Sequence, residues 1–258
     1  MTVFEAVILG IVQGLSEFLP ISSSGHLALT GWLLDMQELD LFFVIVIHIG
    51  TLVPVFVFYW KDICALIRRP FQKTTYLLIA ATIPAVIMAL FFEDYVDAAF
   101  NSIGFLAIGF AITGTVLLLT DKISKTHKDV DKTSYLDAIL IGCAQAIAVF
   151  PGISRSGSTI AAGLARGINR AEAAKFAFLM SIPAILGAMV LQISHIIRGE
   201  IYVGDLDFMV LGAGFVAAML SGYLAIQFML SIIKKAKLKY FSFYVYGLAI
   251  IVLIFHVL

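Results

Sequence analysis

Two short segments of an otherwise apolar chain carry the residues that could perform chemistry. The first holds the carboxylate of Glu17, several hydroxyls and the imidazole of His26, and the second holds the guanidinium of Arg155. A charge at the centre of a bilayer costs about 2.5–3.5 kcal/mol on insertion scales, so such residues are usually paired and functional. Hydrolysis of a phosphate linkage is slow and requires a nucleophile, a base and groups that stabilise negative charge. This set of side chains therefore indicates phosphoryl chemistry.

Spacing within the first segment indicates which side chains share a face. Gln13 and Glu17 are four residues apart, so they lie on one face of a helix. Ser22 and Ser23 precede His26 by four and three residues, which places hydroxyls and imidazole on one face of a second helix. Ser23 or Ser22 could attack phosphorus, while His26 could take the proton or attack directly. Glu17 could orient the imidazole or hold a divalent cation.

The second segment supplies groups that suit an anion. The planar donor fork of Arg155 matches phosphate oxygens. The hydroxyls around it are those of Ser154, Ser156, Ser158 and Thr159. In both segments a helix starts directly after a Ser/Gly-rich turn, where free N–H groups and the positive end of the helix dipole favour negative charge.

Structural roles for the same residues are the alternative. Ser and Gly clusters also allow close packing of membrane helices, and Glu17 with Arg155 could form a purely structural ion pair. The remaining histidines lack polar companions of this kind, and we expect a structural or solvated role for them: His48, His127, His195 and His256.

The elements that must position these residues are membrane helices. Of the 258 residues 61% are hydrophobic and only 13% are charged, about half the usual roughly 25%. Mean hydropathy is +1.03. This composition excludes a soluble globular domain, a disordered chain and a disulfide-rich module. Lys+Arg and Asp+Glu are 17 each, so charge gives no indication of nucleic acid.

Six apolar runs are long enough to cross a bilayer as helices. They are residues 41–60, 75–92, 103–120, 171–197, 208–233 and 240–258. Basic residues concentrate in 61–74, 121–133 and 234–239, whereas 35–40, 93–97 and 198–207 are mostly acidic. The positive-inside rule places the basic set in the cytoplasm and the acidic set outside.

The two remaining segments, 3–34 and 134–168, each have a Gly/Pro/Ser break in the middle and arms that are short for a span. We predict two re-entrant hairpins of half-helices. They match at a fixed offset: Gly10, Gln13, Phe18, Ile21, Ser22, Ser24 and Gly25 correspond to Gly142, Gln145, Phe150, Ile153, Ser154, Ser156 and Gly157. The prediction is an all-α polytopic membrane protein, a single domain over 1–258, with six transmembrane helices and two re-entrant hairpins. Residues 1–120 and 134–258 would form an inverted-topology repeat whose hairpin tips meet near the midplane.

Both motifs resemble the undecaprenyl-diphosphate phosphatase family, also called the bacitracin-resistance protein family. The resemblance rests on GLSEFLPISSSGHL, from Gly14 to Leu27, and on PGISRSG, from Pro151 to Gly157, and it covers the whole chain. It implies a multi-pass enzyme of the bacterial inner membrane. Such an enzyme removes one phosphate from undecaprenyl diphosphate on the external face, which recycles the lipid carrier for peptidoglycan and confers bacitracin resistance.

The resemblance also implies roles for individual residues. Glu17, Ser23, His26 and Arg155 are the expected catalytic residues. The expected substrate-binding residues are Gln13, Ser22, Ser24, Ser154, Ser156 and Thr159. We favour Ser23 as nucleophile with His26 as its base, and attack by His26 remains open. A divalent cation, Mg²⁺ or Ca²⁺, is implied, with Glu17 as a ligand. Because Gln13 stands where other members carry a second carboxylate, a cation bridged by substrate is expected rather than one caged by protein.

A transporter or flippase for a polyprenyl phosphate or another anion is the alternative function. Inverted repeats with broken helices at the midplane are as typical of carriers as of enzymes. The set Glu17, Ser23 and His26 favours the enzyme, because a carrier needs no nucleophile. The expected partners are the lipid substrate and membrane lipid, without nucleic acid. The sequence does not determine the oligomeric state, and a homodimer is one option.

Overall fold

The computed structural model describes residues 1–36, 39–100, 102–123, 127–199, 207–233 and 238–257. Over these residues the protein is helical, and the one β-type contact is an isolated bridge between Lys128 and Ile168. The α-helices are α1 (Val3–Phe18), α2 (Ser23–Leu33), α3 (Leu41–Phe58), α4 (Trp60–Arg68), α5 (Lys73–Phe91), α6 (Glu93–Phe100), α7 (Ile103–Thr120), α8 (Tyr135–Ile147), α9 (Arg155–Ala165), α10 (Arg170–Ile197), α11 (Phe208–Ile233) and α12 (Lys239–Val257). A short 3-10 helix covers Val130–Lys132.

Five of the six predicted spans are helices long and apolar enough to cross a membrane, namely α3, α5, α7, α10 and α11. The sixth prediction corresponds to α12, which is apolar but shorter over its described side chains. Only 17–44% of the residues in the five apolar windows are buried inside the protein. Their remaining apolar surface is far larger than a soluble protein exposes, so it must face lipid. The chain is therefore a multi-pass membrane protein.

Some topology signals lie outside the described residues. These are Glu38, Lys125, Glu200, Asp205, Lys234, Lys235 and Lys237. Two of the predicted loops contain short helices instead. Helix α4 packs Ile63 into the core, and α6 buries Val96 and Ala99. Both are amphipathic, and a charge count alone could not distinguish them from irregular loops.

Each predicted hairpin is a pair of helices separated by a break. Helix α1 ends at Phe18 because Leu19 precedes a proline and takes extended backbone, with φ −72 and ψ 146. The second break turns at Gly152, whose φ is +82. A side chain at that position would also collide with the backbone of Leu106 and Phe110 in α7. Only glycine meets both requirements, because it lacks a Cβ.

Small residues allow the hairpins to lie close to the spans. Gly10 and Gly14 in α1 lie directly against the backbone of α11, at Gly214 and Ala218. Gly142 in α8 lies in the same way against Ala81 of α5. The first helix of each hairpin thus packs on the middle span of the other half. This exchange of packing partners is what an interlocked inverted repeat would show. The division of the chain into 1–120 and 134–258 stays a prediction.

The largest buried cluster lies directly below the first break. Phe18, the last residue of α1, is fully buried and meets Phe178 of α10 edge to face, with ring centroids 5.6 Å apart. Leu117 and Ile160 are buried in the same cluster. The packed core thus fixes the end of α1, and with it the neighbouring Glu17.

Candidate active site

The tips of the two hairpins touch each other. The Ser156 hydroxyl donates to the Leu19 carbonyl at 3.0 Å. Gly157 lies against Pro20, where an added Cβ would stand 3.2 Å from the proline Cβ. The N-termini of α2 and α9 are therefore brought to one place. First-turn N–H groups of a helix have no intrahelical partner, so two such ends together form a concentrated anion-binding environment.

The two helix starts are built in the same way. Ser22 caps α2 by accepting from the Gly25 N–H at 3.4 Å, and Ser154 caps α9 by accepting from the Gly157 N–H at 3.1 Å. The serine two residues after each cap lies beside it. The hydroxyl distances are 3.3 Å for Ser22 with Ser24 and 3.2 Å for Ser154 with Ser156. The residues matched in the sequence thus have matching local structure.

One difference between the two caps is backbone strain. Ser154 has ordinary extended backbone with φ −75, whereas Ser22 has φ +72. The left-handed region costs a residue with a Cβ roughly 1–2 kcal/mol. Strain of this kind persists where the surroundings enforce it, often at functional sites. Here it turns the chain between Glu17 and Ser23 so that the two side chains meet.

Glu17 is the centre of the cluster. Its side chain is buried, and Oε1 accepts from the Arg155 guanidinium at 2.5 Å. Oε2 accepts from the Ser23 hydroxyl at 2.6 Å and from the Gln13 amide at 3.0 Å. The buried charge is thus paired and fully hydrogen bonded, as burial of a carboxylate requires. The structure brings together four predicted residues from three helices: Gln13, Glu17, Ser23 and Arg155.

The partner of the Ser23 hydroxyl differs from our expectation. It is Glu17, and not His26, that accepts the hydrogen bond. The imidazole is engaged elsewhere, because Nδ1 lies 2.7 Å from the Ser22 carbonyl, which can only accept. Proximity on one helical face did not predict this, because the turn at Ser22 directs Ser23 back to α1. A carboxylate that accepts from a serine hydroxyl has the geometry that a base requires to activate this hydroxyl.

Tyr244 of α12 is a site residue that the sequence did not indicate. Nε2 of His26 lies 2.8 Å from the Tyr244 hydroxyl, and the two rings stack with centroids 5.6 Å apart. Since Nδ1 carries the proton, Nε2 of the neutral ring accepts from this hydroxyl. Phe110 contacts the imidazole edge to face. The orientation of His26 is therefore set by three different helices.

His48 is a second residue near Glu17 that the sequence did not indicate. We expected a structural or solvated role for it, and the structure shows a structural hydrogen bond on only one of its two ring nitrogens. Its Nδ1 donates to the Val44 carbonyl at 2.8 Å within α3. The other nitrogen, Nε2, lies 4.0 Å from Oε2 of Glu17. An isolated histidine in an apolar run carries no sequence signal for this position, which arises from the packing of α3 beside α1.

Thr113 of α7 holds the second hairpin tip and was also missed. Its hydroxyl donates to the Gly152 carbonyl at 2.8 Å and accepts from the Ser154 N–H at 2.9 Å. Two buried backbone groups of the turn are thereby satisfied by a side chain. The turn that leads into Arg155 is fixed by this single side chain.

Not every predicted substrate-binding hydroxyl is free to reach a ligand. Thr159 is buried and donates to the Arg155 carbonyl at 2.8 Å within its own helix. Ser22, Ser154 and Ser156 are also buried and make the contacts of the caps and of the tip joint. Partial exposure is retained by Ser23, Ser24, His26 and Arg155. A substrate therefore has access to the predicted nucleophile, imidazole and guanidinium.

The donor set does not fit a protein-held divalent cation. Glu17 is the carboxylate of the cluster, and both of its oxygens are already bound, one of them to Arg155. The Gln13 Oε1 atom is buried without a protein partner, but an amide oxygen contributes no charge. The part of the chain that the structure describes contains no group of three or more His, Cys, Asp or Glu that could hold a metal. The guanidinium would repel a second cation at this position.

Comparison with known proteins gives consistent matches over nearly the whole chain. The sequence model of the Bacitracin resistance protein BacA family matches residues 6–251. An "Undecaprenyl-diphosphatase" of Carboxydothermus hydrogenoformans is 46% identical over 254 residues, which cover 98% of this chain and 97% of that protein. Proteins of the same name from Alkaliphilus metalliredigens and Bacteroides thetaiotaomicron are 42% and 44% identical, covering 100% and 98% of this chain and 100% and 99% of their own.

Proposed function

Because the chain belongs to the bacitracin resistance protein BacA family, we propose that it cleaves its substrate where the two hairpin tips meet. It is an undecaprenyl-diphosphatase: it hydrolyses undecaprenyl diphosphate to undecaprenyl phosphate and inorganic phosphate. This activity recycles the lipid carrier of peptidoglycan synthesis and gives resistance to bacitracin. The observation that carries the site assignment is Glu17, bound by the Ser23 hydroxyl on one oxygen and by Arg155 on the other.

The terminal phosphate binds at the joined N-termini of α2 and α9. Arg155 turns from Glu17 to the phosphate oxygens, where its two parallel N–H groups match the ligand geometry. Its Nη1 lies 3.4 Å from the Ala177 carbonyl, which keeps the guanidinium near the tip during this movement. The prenyl tail extends along the apolar faces of the spans. First-turn N–H groups and the guanidinium then stabilise the charge that develops in the transition state.

Ser23 attacks the terminal phosphorus, and Glu17 takes its proton. A new bond forms between Oγ and phosphorus while the bridging P–O bond breaks, so undecaprenyl phosphate leaves as an anion that needs no proton. The hydrogen bond of 2.6 Å already aligns hydroxyl and carboxylate for this transfer. Departure of Arg155 from Oε1 leaves the carboxylate less stabilised and therefore a stronger base.

Water then attacks phosphorus and the bond between Oγ and phosphorus breaks, while Glu17 returns its proton to Oγ, which releases inorganic phosphate and restores the Ser23 hydroxyl. His26 is suited to this second step, because Nε2 of its neutral ring carries a lone pair directed at Tyr244. A water that replaces the Tyr244 contact would be deprotonated by this nitrogen.

Direct attack by His26 is the competing mechanism, favoured by the same lone pair. The two are separated by rapidly quenching the purified enzyme, after mixing with a polyprenyl diphosphate labelled on its terminal phosphate, with acid in one sample and with alkali in a second, where phosphohistidine is preserved. Phosphoserine survives acid and phosphohistidine does not, so an acid-stable label that disappears in Ser23→Ala supports the serine route. An acid-labile label that persists in Ser23→Ala and disappears in His26→Ala would refute it. Ser158→Ala, a partly exposed hydroxyl on α9, is the control for loss of a serine.

A divalent cation, if the reaction uses one, would enter with the substrate and neutralise part of the charge of the diphosphate. This follows from the donor set around Glu17, which lacks the carboxylates that Mg²⁺ or Ca²⁺ require for a resident site. Addition of a chelator should then raise KM for the diphosphate and leave kcat at saturation nearly unchanged. A chelator that abolishes kcat at saturating substrate would indicate a resident metal.

The protein resides in the bacterial inner membrane with its site open to the external side, and the six-span layout with re-entrant hairpins applies. Support comes from the basic residues between α3 and α5, such as Arg68 and Arg69, and from the acidic residues of α6, such as Glu93 and Asp94. Cysteines introduced at Glu93 and Arg69 should react with an impermeant reagent from outside and from the cytoplasm, respectively. Reversed labelling would overturn the topology. Homodimer formation remains a prediction, to be tested by the mass of the purified protein in detergent.

A further inference from the structure

A pocket far from the active site lies along helix α4. It has a volume of about 580 Å³, and its walls include Trp60, Lys61, Cys64, Arg68, Arg69 and Gln72. Trp60, Cys64 and Arg68 are four residues apart and share one face of the helix, and Arg69 and Gln72 follow directly after its end. Trp60 is twelve residues beyond His48, roughly 18 Å along a helix, so the pocket is separate from the Glu17 cluster.

The charge of this pocket is uniformly positive. Lys61, Arg68 and Arg69 are exposed, and none of them forms an ion pair with a residue that the structure describes. The acidic residue of α4, Asp62, is bound to Lys175 of α10 at 2.5 Å. That pair anchors the helix to the bundle and leaves the three cations without a counter-charge. A negatively charged ligand is therefore the complement of this face.

The same region exposes large apolar side chains. Trp60, Ile67 and Phe71 are 61%, 73% and 85% exposed, while Ile63 of the same segment is buried. Helix α4 directly follows the membrane helix α3, and α5 begins only a few residues later. A short amphipathic helix with Lys, Arg, Trp and Phe at the end of a span lies in the plane of the lipid headgroups. The phosphate of an anionic lipid is the negative group present at that depth.

We propose that this pocket binds the headgroup of an anionic phospholipid. Arg68 and Arg69 donate to the phosphate, and Lys61 adds a third positive charge. Trp60 and Phe71 contact the glycerol region and the first part of the acyl chains. The site is independent of hydrolysis and would hold a bilayer lipid against the junction of α3 and α5.

Native mass spectrometry of the purified protein with equal amounts of phosphatidylglycerol and phosphatidylcholine tests this proposal. The wild type should retain phosphatidylglycerol in clear excess. Arg68→Gln/Arg69→Gln should lower that excess by about 25-fold, because each of the two basic residues contributes on the order of fivefold at a lipid surface. Lys122→Gln/Lys132→Gln is the matched control, since it removes two exposed cations outside the pocket and should preserve the excess.

Phosphate release in detergent is measured alongside and should be unchanged in both double variants, which shows that they are folded. Should the first variant fail to fold, Lys61→Gln gives the same test with a smaller expected loss. Equal lipid selectivity in the variants and the wild type would overturn the proposal. So would displacement of the bound lipid by excess inorganic phosphate, because the pocket would then be a site for small anions.

Discussion

The guanidinium of Arg155 meets the carboxylate of Glu17 at 2.5 Å although 138 residues separate them in the chain. Each side chain lies beside the tip of a different hairpin. An unpaired charge inside the membrane is costly, and removal of one partner of a buried pair typically costs 3–5 kcal/mol. Each hairpin therefore needs the other to bury its charge, and the proposed catalytic cluster is also the joint between the two hairpins.

Replacement of Glu17 by glutamine should nearly abolish activity. Glu17→Gln preserves shape but removes the base for Ser23, so phosphate release should fall by about 10²–10⁴-fold. Asp137→Asn is the control, because Asp137 is another buried carboxylate, bound to Lys128 and Arg166 away from the site. It should lower thermal stability and leave turnover per folded molecule near that of the wild type. Normal turnover in Glu17→Gln would show that Glu17 is not the base for Ser23.

The strained backbone at Ser22 predicts that glycine is better tolerated there than alanine. Ser22→Ala keeps the strain at φ +72 and loses the cap of α2, which should cost about 1 kcal/mol or more. Ser22→Gly loses the same hydroxyl but relieves roughly 1 kcal/mol of strain, so thermal unfolding should show it more stable than Ser22→Ala. At Ser154, where φ is −75, glycine should offer much less advantage over alanine. An equal stability difference between the glycine and alanine variants at both positions would contradict the strain argument.

His48 should contribute to turnover although it lies in a helix that contains no Asp, Glu, Lys or Arg. His48→Ala removes an imidazole whose Nε2 lies 4.0 Å from Oε2 of Glu17, too far for a hydrogen bond but close enough for an electrostatic contact, so kcat/KM should fall about tenfold. His127→Ala, an exposed histidine in the loop before α8, is the control and should have no effect. Equal activity of the two variants would show that the role of His48 is structural only.

Tyr244 should act as a positioning residue for His26. Tyr244→Phe removes the hydroxyl bonded to Nε2 but keeps the stacked ring, so kcat should fall several-fold while KM changes little. Tyr246→Phe is a close control, because its hydroxyl lies 2.7 Å from that of Thr115 instead. A change in KM with kcat intact in Tyr244→Phe would indicate that the tyrosine contacts substrate and not the imidazole.

The hairpins and the central ion pair could be predicted from sequence because their signals are local. Proline and glycine break a helix wherever they occur, and the same Ser/Gly pattern at both breaks placed Ser22 and Ser154 in equivalent positions. Glu17 and Arg155 are charged residues within apolar segments, so each was a candidate partner for the other. The predicted joint of Glu17 and Arg155 is therefore present in the structure.

The supporting residues could not be predicted, because their roles arise from packing between distant helices. His48, Thr113 and Tyr244 lie in spans whose sequences are otherwise apolar, and each reaches the site only through the arrangement of α3, α7 and α12. The Ser23 hydroxyl was also expected to contact His26, whereas it donates to Glu17. Helical spacing located His26 on the correct face, but the left-handed turn at Ser22 directs the hydroxyl towards Glu17.

The closed pair of Glu17 and Arg155 means that the enzyme carries an internal competitor for its ligand. An incoming anion must displace a carboxylate from the guanidinium, and a more highly charged diphosphate does so more readily than the monophosphate that remains after cleavage. After cleavage the carboxylate of Glu17 can pair with Arg155 again and thereby displace the product. Discrimination between substrate and product, and therefore turnover in a membrane rich in both lipids, would come from a side chain that the enzyme already contains.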